Sequence, residues 1–166
     1  LRWAARGGGC RARAVRDGRD GGARTGMSLA GRWSGRALAK AGLGAAHARS
    51  RPLCARFGVP HGLGCAILLP RVMAFNAACA AGKYARVAEA LGADVRGLDA
   101  ASGAEKAAEL VAALSAEIGI PAGLSTFGVT ERDIPAIARE ARGSSLDGNP
   151  VAADEGALAG ILRAAL

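Results

Sequence analysis

The chain of 166 residues has two histidines, His47 and His61, and their surroundings decide what chemistry it can carry. A neutral imidazole nitrogen binds transition metals at roughly 2.0–2.1 Å, so two imidazoles that meet can share one ion. On a single continuous helix this pair would lie about 21 Å apart along the axis, beyond the reach of any ion. The pair can work only if Gly58-Val59-Pro60, which lies between them, folds a second helix start back beside the first helix. Even then, two histidines make half of a four-ligand site. Arg51 lies four residues after His47, on the same helical face, and borders any site built there. Its guanidinium stays protonated and cannot ligate a metal, but it can serve a neighbouring anion such as a cofactor phosphate.

Other donors carry weaker patterns. Cys54 with His61, or Cys65 nearby, offers a sulfur and nitrogen set for zinc, but the spacing matches no common Cys/His finger. Buried cysteine is also often just a small apolar residue. Asp147 and Asp154 read as a loop residue and a helix cap, not as an acid–base pair.

Helices must position these groups. Residues 24–48 are mostly helix formers without proline, though Gly31, Gly35, Gly42 and Gly44 weaken the run. Pro52 and then Gly58-Val59-Pro60 interrupt it, and a second helix is expected from His61 toward Asn76. Tyr84, Val87, Ala88 and Leu91 fall at helical spacing before Gly92, and Ala107, Leu110, Val111, Leu114 and Ile118 do so before Gly119. Thr130 to Asp133 resembles a capping box ahead of Ile134 and Ile137. Residues 143–150 form a turn-rich stretch, after which Asp154 introduces a last helix. With 51% apolar and only 4% aromatic residues, the chain predicts an all-α domain built on close alanine packing.

The formal net charge is +8, but 13 of the 22 Lys and Arg lie in residues 1–56, against only Asp17 and Asp20. Residues 1–26 hold seven Arg and seven Gly, a composition expected to stay loose, with residues 27–166 as the helical domain. A basic helical nucleic-acid-binding protein is the alternative this charge raises. Such Arg-Gly arms usually interleave stacking aromatics, and this segment has only Trp3, so nucleic acid is not the expected partner. Four cysteines without a C-x-x-C pair, and no secretory leader pattern, suit a reduced cytoplasm. The most apolar stretch, residues 62–75, is broken by Pro70 and Arg71 and is shorter than a membrane span of about 20 residues, so no membrane is expected. The first residue is Leu rather than Met, which suggests a start further upstream.

Residues 42–76 closely resemble the C-terminal helical domain of the iron-containing (group III) alcohol dehydrogenases. In that family the segment reads as a glycine-rich stretch, H-A-x-x-H-P-L-G, P-H-G-x-A-N-A and L-L-P-H-V-M-x-F-N. Here His47-Ala48, Pro52-Leu53, Pro60-His61-Gly62, Leu68-Leu69-Pro70, Val72-Met73 and Phe75-Asn76 agree in order and spacing. The likeness continues more loosely to Leu166 through Gly119-Ile120-Pro121, Gly128-Val129-Thr130 and Gly148-Asn149-Pro150.

The resemblance implies a helical bundle separated from an N-terminal α/β domain that binds NAD(P) through Gly-Gly-Gly-Ser. It also implies a metal held by one Asp and three His, two of which match His47 and His61. The other two ligands lie upstream of the matched region, and Gly7-Gly8-Gly9-Cys10 stands too late in the order to be the cofactor motif. Arg51 stands where the family often has a second histidine near the nicotinamide, Arg71 where a histidine usually follows Leu-Leu-Pro, and Cys54 where glycine is common. The implied function is the C-terminal metal-binding portion of an NAD(P)-dependent alcohol dehydrogenase, truncated and inactive alone. Fe2+, or Zn2+ in its place, would be the metal and a small alcohol or aldehyde the substrate. Arg51 would face the cofactor. A homodimer stays open, as does a non-catalytic helical remnant.

Overall fold

The computed structural model describes residues 2–140 and 146–166. The described residues form seven α-helices and two short 3-10 turns, with no strand among them, which matches the all-α expectation. Part of the expected turn-rich stretch, Gly143 to Ser145, lies outside the described residues.

The helices group into two compact units, one of residues 1–41 and 80–119, the other of residues 42–79 and 120–166. In the first, α1 (Arg2–Arg16) and α2 (Gly21–Ala41) form a hairpin. The Arg/Gly-rich segment expected to be loose is thus helical, and the boundary expected after residue 26 falls inside α2. Asp20 explains this locally. Its carboxylate accepts from the Ala23 N–H at the start of α2 and from the Arg13 guanidinium of α1. Tertiary packing outweighs the helix cost of the glycines, and Gly26 brings α2 so close to α1 that a Cβ there would meet Cys10 Sγ. The unit is completed by residues 80–90 and α5 (Ala100–Glu117), which Asp99 caps through the Ser102 N–H. Ala85 and Gly103 touch so closely that a Cβ at 103 would lie 2.7 Å from the Ala85 Cβ.

The second unit holds the histidines. α3 (Ala45–Phe57) begins after Gly42, whose φ of 75° ends α2, so the run expected to be one helix over 24–48 is two. Pro52 does not interrupt α3, which continues to Phe57 and stops at Gly58 in the left-handed conformation, φ 65°. The Gly58 and Val59 N–H groups close this end on the Cys54 and Leu53 carbonyls. Pro60, with no N–H to satisfy, then leads into α4 (His61–Ala90).

α4 runs beyond Asn76, with one non-helical residue at Ala80 where the chain passes to the other unit. It also continues through Pro70 and Arg71, so it is long and apolar enough to cross a membrane by length and composition. Its Ile67, Leu68, Val72 and Met73 are buried. Ile67, Leu68 and Val72 pack with Leu53, Leu124, Ile137 and Leu162, as a core helix does. α6 (Ile134–Glu140) follows the 3-10 turn Glu131–Asp133, where the Asp133 carboxylate accepts from the Thr130 N–H and hydroxyl. Asp154 caps α7 (Glu155–Arg163) through the Ala157 N–H, as expected.

Candidate metal centre

The α3 C-terminus and the Gly58-Val59-Pro60 turn bring the two histidines together. Their ring centroids lie 5.5 Å apart with the planes tilted by 56°. The close approach depends on Gly64, one turn into α4, where a Cβ would already sit 3.3 Å from Ser50 Cβ. A third donor joins the pair. Cys65 follows His61 by one helical turn, and its Sγ is 3.8 Å from His61 Nε2. One ligand atom from each of His47, His61 and Cys65 lies within 4.8 Å of the others. His47 and Cys65 are half-buried and His61 is exposed.

Ser50, fully buried on α3, hydrogen-bonds to both histidines. Its hydroxyl donates to the His47 carbonyl at 3.0 Å and lies 2.8 Å from His61 Nδ1. With its one proton so used, Ser50 Oγ accepts from Nδ1–H, which leaves the Nε2 lone pair free on the Cys65 side. Burial, and then the nearby His61 charge, push the His47 imidazole below its ordinary value and favour the neutral ligating form. Burial pushes the Cys65 thiol up.

These residues fit a transition metal. Nitrogen and sulfur bonds of about 2.0–2.3 Å at tetrahedral angles place ligand atoms about 3.5 Å apart. The observed spacing reaches that by side-chain rotation. One imidazole already has its second nitrogen anchored, as ligating histidines usually do.

The remaining candidates lie elsewhere. Arg51 is exposed on α3 and stands outside the donor group. Cys54 is exposed, and of the two cysteines weighed as donors it is Cys65 that the fold brings to the pair. Arg71 is occupied structurally, donating to the carbonyls of Ala164, Ile67 and Ala122. Two residues escaped the sequence reading. Ser50 left a signal in its spacing, three residues after His47, but hydroxyls are common on helices. Arg49 left none: it is fully buried and donates through Nη1 to the Ile137 and Ala138 carbonyls.

The family model described as Fe-containing alcohol dehydrogenase family, C-terminal, matches residues 10–166. The chain belongs to this family. Lactaldehyde reductase of Escherichia coli K12 is 39% identical over 115 residues, which cover 69% of this chain and 30% of that protein. The 1,3-propanediol dehydrogenase of Klebsiella pneumoniae is 37% identical over 144 residues, 86% of this chain and 37% of that one. The crystal structure of a 1,3-propanediol oxidoreductase superposes with a TM-score of 0.96 at 35% identity, covering 99% of this chain and 44% of that chain. An alcohol dehydrogenase from Oenococcus oeni gives a TM-score of 0.95 at 28% identity, with the same coverage. The chain therefore spans about a third of the length of these curated relatives, and corresponds to the C-terminal helical domain of the family.

Proposed function

We propose that this chain is the metal-holding C-terminal portion of an NAD(P)-dependent alcohol dehydrogenase, acting on a small alcohol or aldehyde, with His47 and His61 as metal ligands. The observation that carries the reading is the meeting of the two imidazoles, 5.5 Å between centroids, from helices that a left-handed glycine folds together. The relatives act on compounds of this class by name, as lactaldehyde reductase and 1,3-propanediol dehydrogenase do. When bound, the metal supplies Lewis acidity toward an alcohol or carbonyl oxygen.

The chain's own groups prepare for that. With Ser50 Oγ as the acceptor of an Nδ1–H, 2.8 Å away, His61 would present Nε2 to the metal. The depressed basicity of His47 keeps its imidazole neutral. Arg51, exposed on the same helix, offers a permanent positive charge to a cofactor phosphate or an anionic substrate group. In this reading the 166 residues, which carry no Gly-Gly-Gly-Ser, would not oxidise an alcohol by themselves. The setting proposed is cytoplasmic, and the metal Fe2+ or Zn2+.

The test is metal stoichiometry of the purified chain, with His47→Ala and His61→Ala variants, beside an assay of NAD(P)-dependent alcohol oxidation. Metal bound by the wild type and lost in both variants supports the site. Binding that survives both substitutions overturns it, and measurable alcohol oxidation by these residues overturns their inactivity.

A further inference from the structure

Deepening this metal reading, and resting on it, we propose that Cys65 is the third ligand, so that the chain builds a centre of one thiolate and two imidazoles that takes zinc or cobalt(II) in preference to ferrous iron.

Three independent features of the fold converge on Cys65. It lies four residues after His61 on α4, so both side chains project from one helix face, with Sγ 3.8 Å from Nε2. The His47 ligand atom, delivered from α3, comes within 4.8 Å of both. Cys65 is also a free thiol, half-buried rather than sealed in the core, so it remains available to an ion entering beside the exposed His61.

The donor set then sets the choice of metal. Among the described residues the group brings together two imidazoles and one sulfur. A thiolate with two imidazoles is a soft to borderline set, which favours zinc, and its spectroscopic substitute cobalt(II), over ferrous iron. On binding, the Cys65 S–H bond breaks, its proton passes to solvent and the metal–sulfur bond forms, with no change in oxidation state.

The experiment is a cobalt(II) titration of the metal-free, 166-residue chain, followed by absorption spectroscopy. Expected are visible bands of tetrahedral cobalt together with a near-ultraviolet sulfur-to-cobalt charge-transfer band. In Cys65→Ser the charge-transfer band disappears and affinity falls roughly tenfold or more, while Cys54→Ser keeps both. Zinc should displace the cobalt where ferrous iron does not, and bound zinc should shield Cys65 from alkylation, read by peptide mass. Circular dichroism of each variant separates loss of a ligand from loss of fold. Cobalt bound without a charge-transfer band, or with one that Cys65→Ser leaves intact, overturns the Cys65 assignment while the histidine pair stands. Absence of any cobalt or zinc binding overturns the metal reading itself, and this proposal with it.

Discussion

Gly64 and Ser50 pack closely against each other: a Cβ at residue 64 would stand 3.3 Å from Ser50 Cβ, a tight contact, and 3.6 Å from Ser50 Cα. Between these two residues α3 and α4 come near enough for His47 to meet His61 and Cys65. The candidate donors are thus brought together by a backbone approach at the residue next to Cys65.

Gly64→Val tests that dependence. Two further methyl groups beyond an already tight Cβ must push against Ser50 and against Val59 Cγ1, at 3.6 Å. Overpacking of this kind costs about 1–3 kcal/mol. Thermal unfolding should show a lower Tm, and cobalt(II) affinity should fall although all three donors remain. An unchanged cobalt affinity would show that the approach at Gly64 does not control the site.

Ser50→Ala removes the acceptor of the His61 Nδ1–H and leaves the His47 carbonyl without this partner. His61 is then free to adopt the other tautomer or to rotate. Losing such an outer contact typically weakens metal binding by roughly 10–100-fold. Competition with a chromophoric chelator measures this, and Ser50→Thr, which retains the hydroxyl, should recover much of the loss. Equal affinities in the wild type and Ser50→Ala would remove Ser50 from the account.

Much of this arrangement was legible in the sequence. The His47 and His61 pair, the Gly58-Val59-Pro60 turn and the caps at Thr130 and Asp154 are local patterns, each with a direct backbone consequence. The break at Gly42 was less so, because the neighbouring Gly31 and Gly35, of the same residue type, lie within an unbroken α2. The helical α1 was hidden by composition, since its order comes from pairing with α2 through Arg13 and Asp20 and not from an apolar stripe. Cys65 at i+4 from His61 was visible as spacing. Only the approach of α3 gives that spacing a third partner. Arg49 was illegible for an opposite reason: an arginine on a helix is read as solvated, and burial is a property of the whole unit.

Arg49→Met should destabilise the protein modestly. The guanidinium is fully buried, and its Nε and Nη2 have no hydrogen-bond partner among the described residues. Burial pushes its pKa down to about 10, with a weaker opposing attraction from Glu155, a cost to the charged form of about 3 kcal/mol. Against this, the variant loses two donations, to the Ile137 and Ala138 carbonyls, each a net contribution of about 1.5–3 kcal/mol for a bond to a charged group, which together match or exceed that cost. Methionine fills the space flexibly and requires no partner. The sign in pH follows: the penalty is complete below the folded value and is relieved as pH rises through it toward the ordinary arginine range. Denaturant unfolding at neutral pH should give a lower midpoint for Arg49→Met, and a higher one would mean the buried charge costs more than the two carbonyl contacts supply.

Acid should loosen the helix starts before it reaches the core. The Asp99 carboxylate accepts from the Ser102 backbone N–H, which holds it below its ordinary value of 3.8, and Asp133 is lowered first by the Thr130 hydroxyl and then by its N–H. Since the folded values are the lower ones, the unfolded chain binds protons first as pH falls. Their stabilisation is complete above the unfolded value and is lost as pH drops through the folded one. Asp99→Asn keeps an oxygen that can cap α5 but cannot be protonated in this range. Thermal melts from neutral pH down through the carboxylate range should therefore show a shallower decline for Asp99→Asn than for the wild type. Parallel declines would show that the Asp99 cap contributes nothing to acid sensitivity.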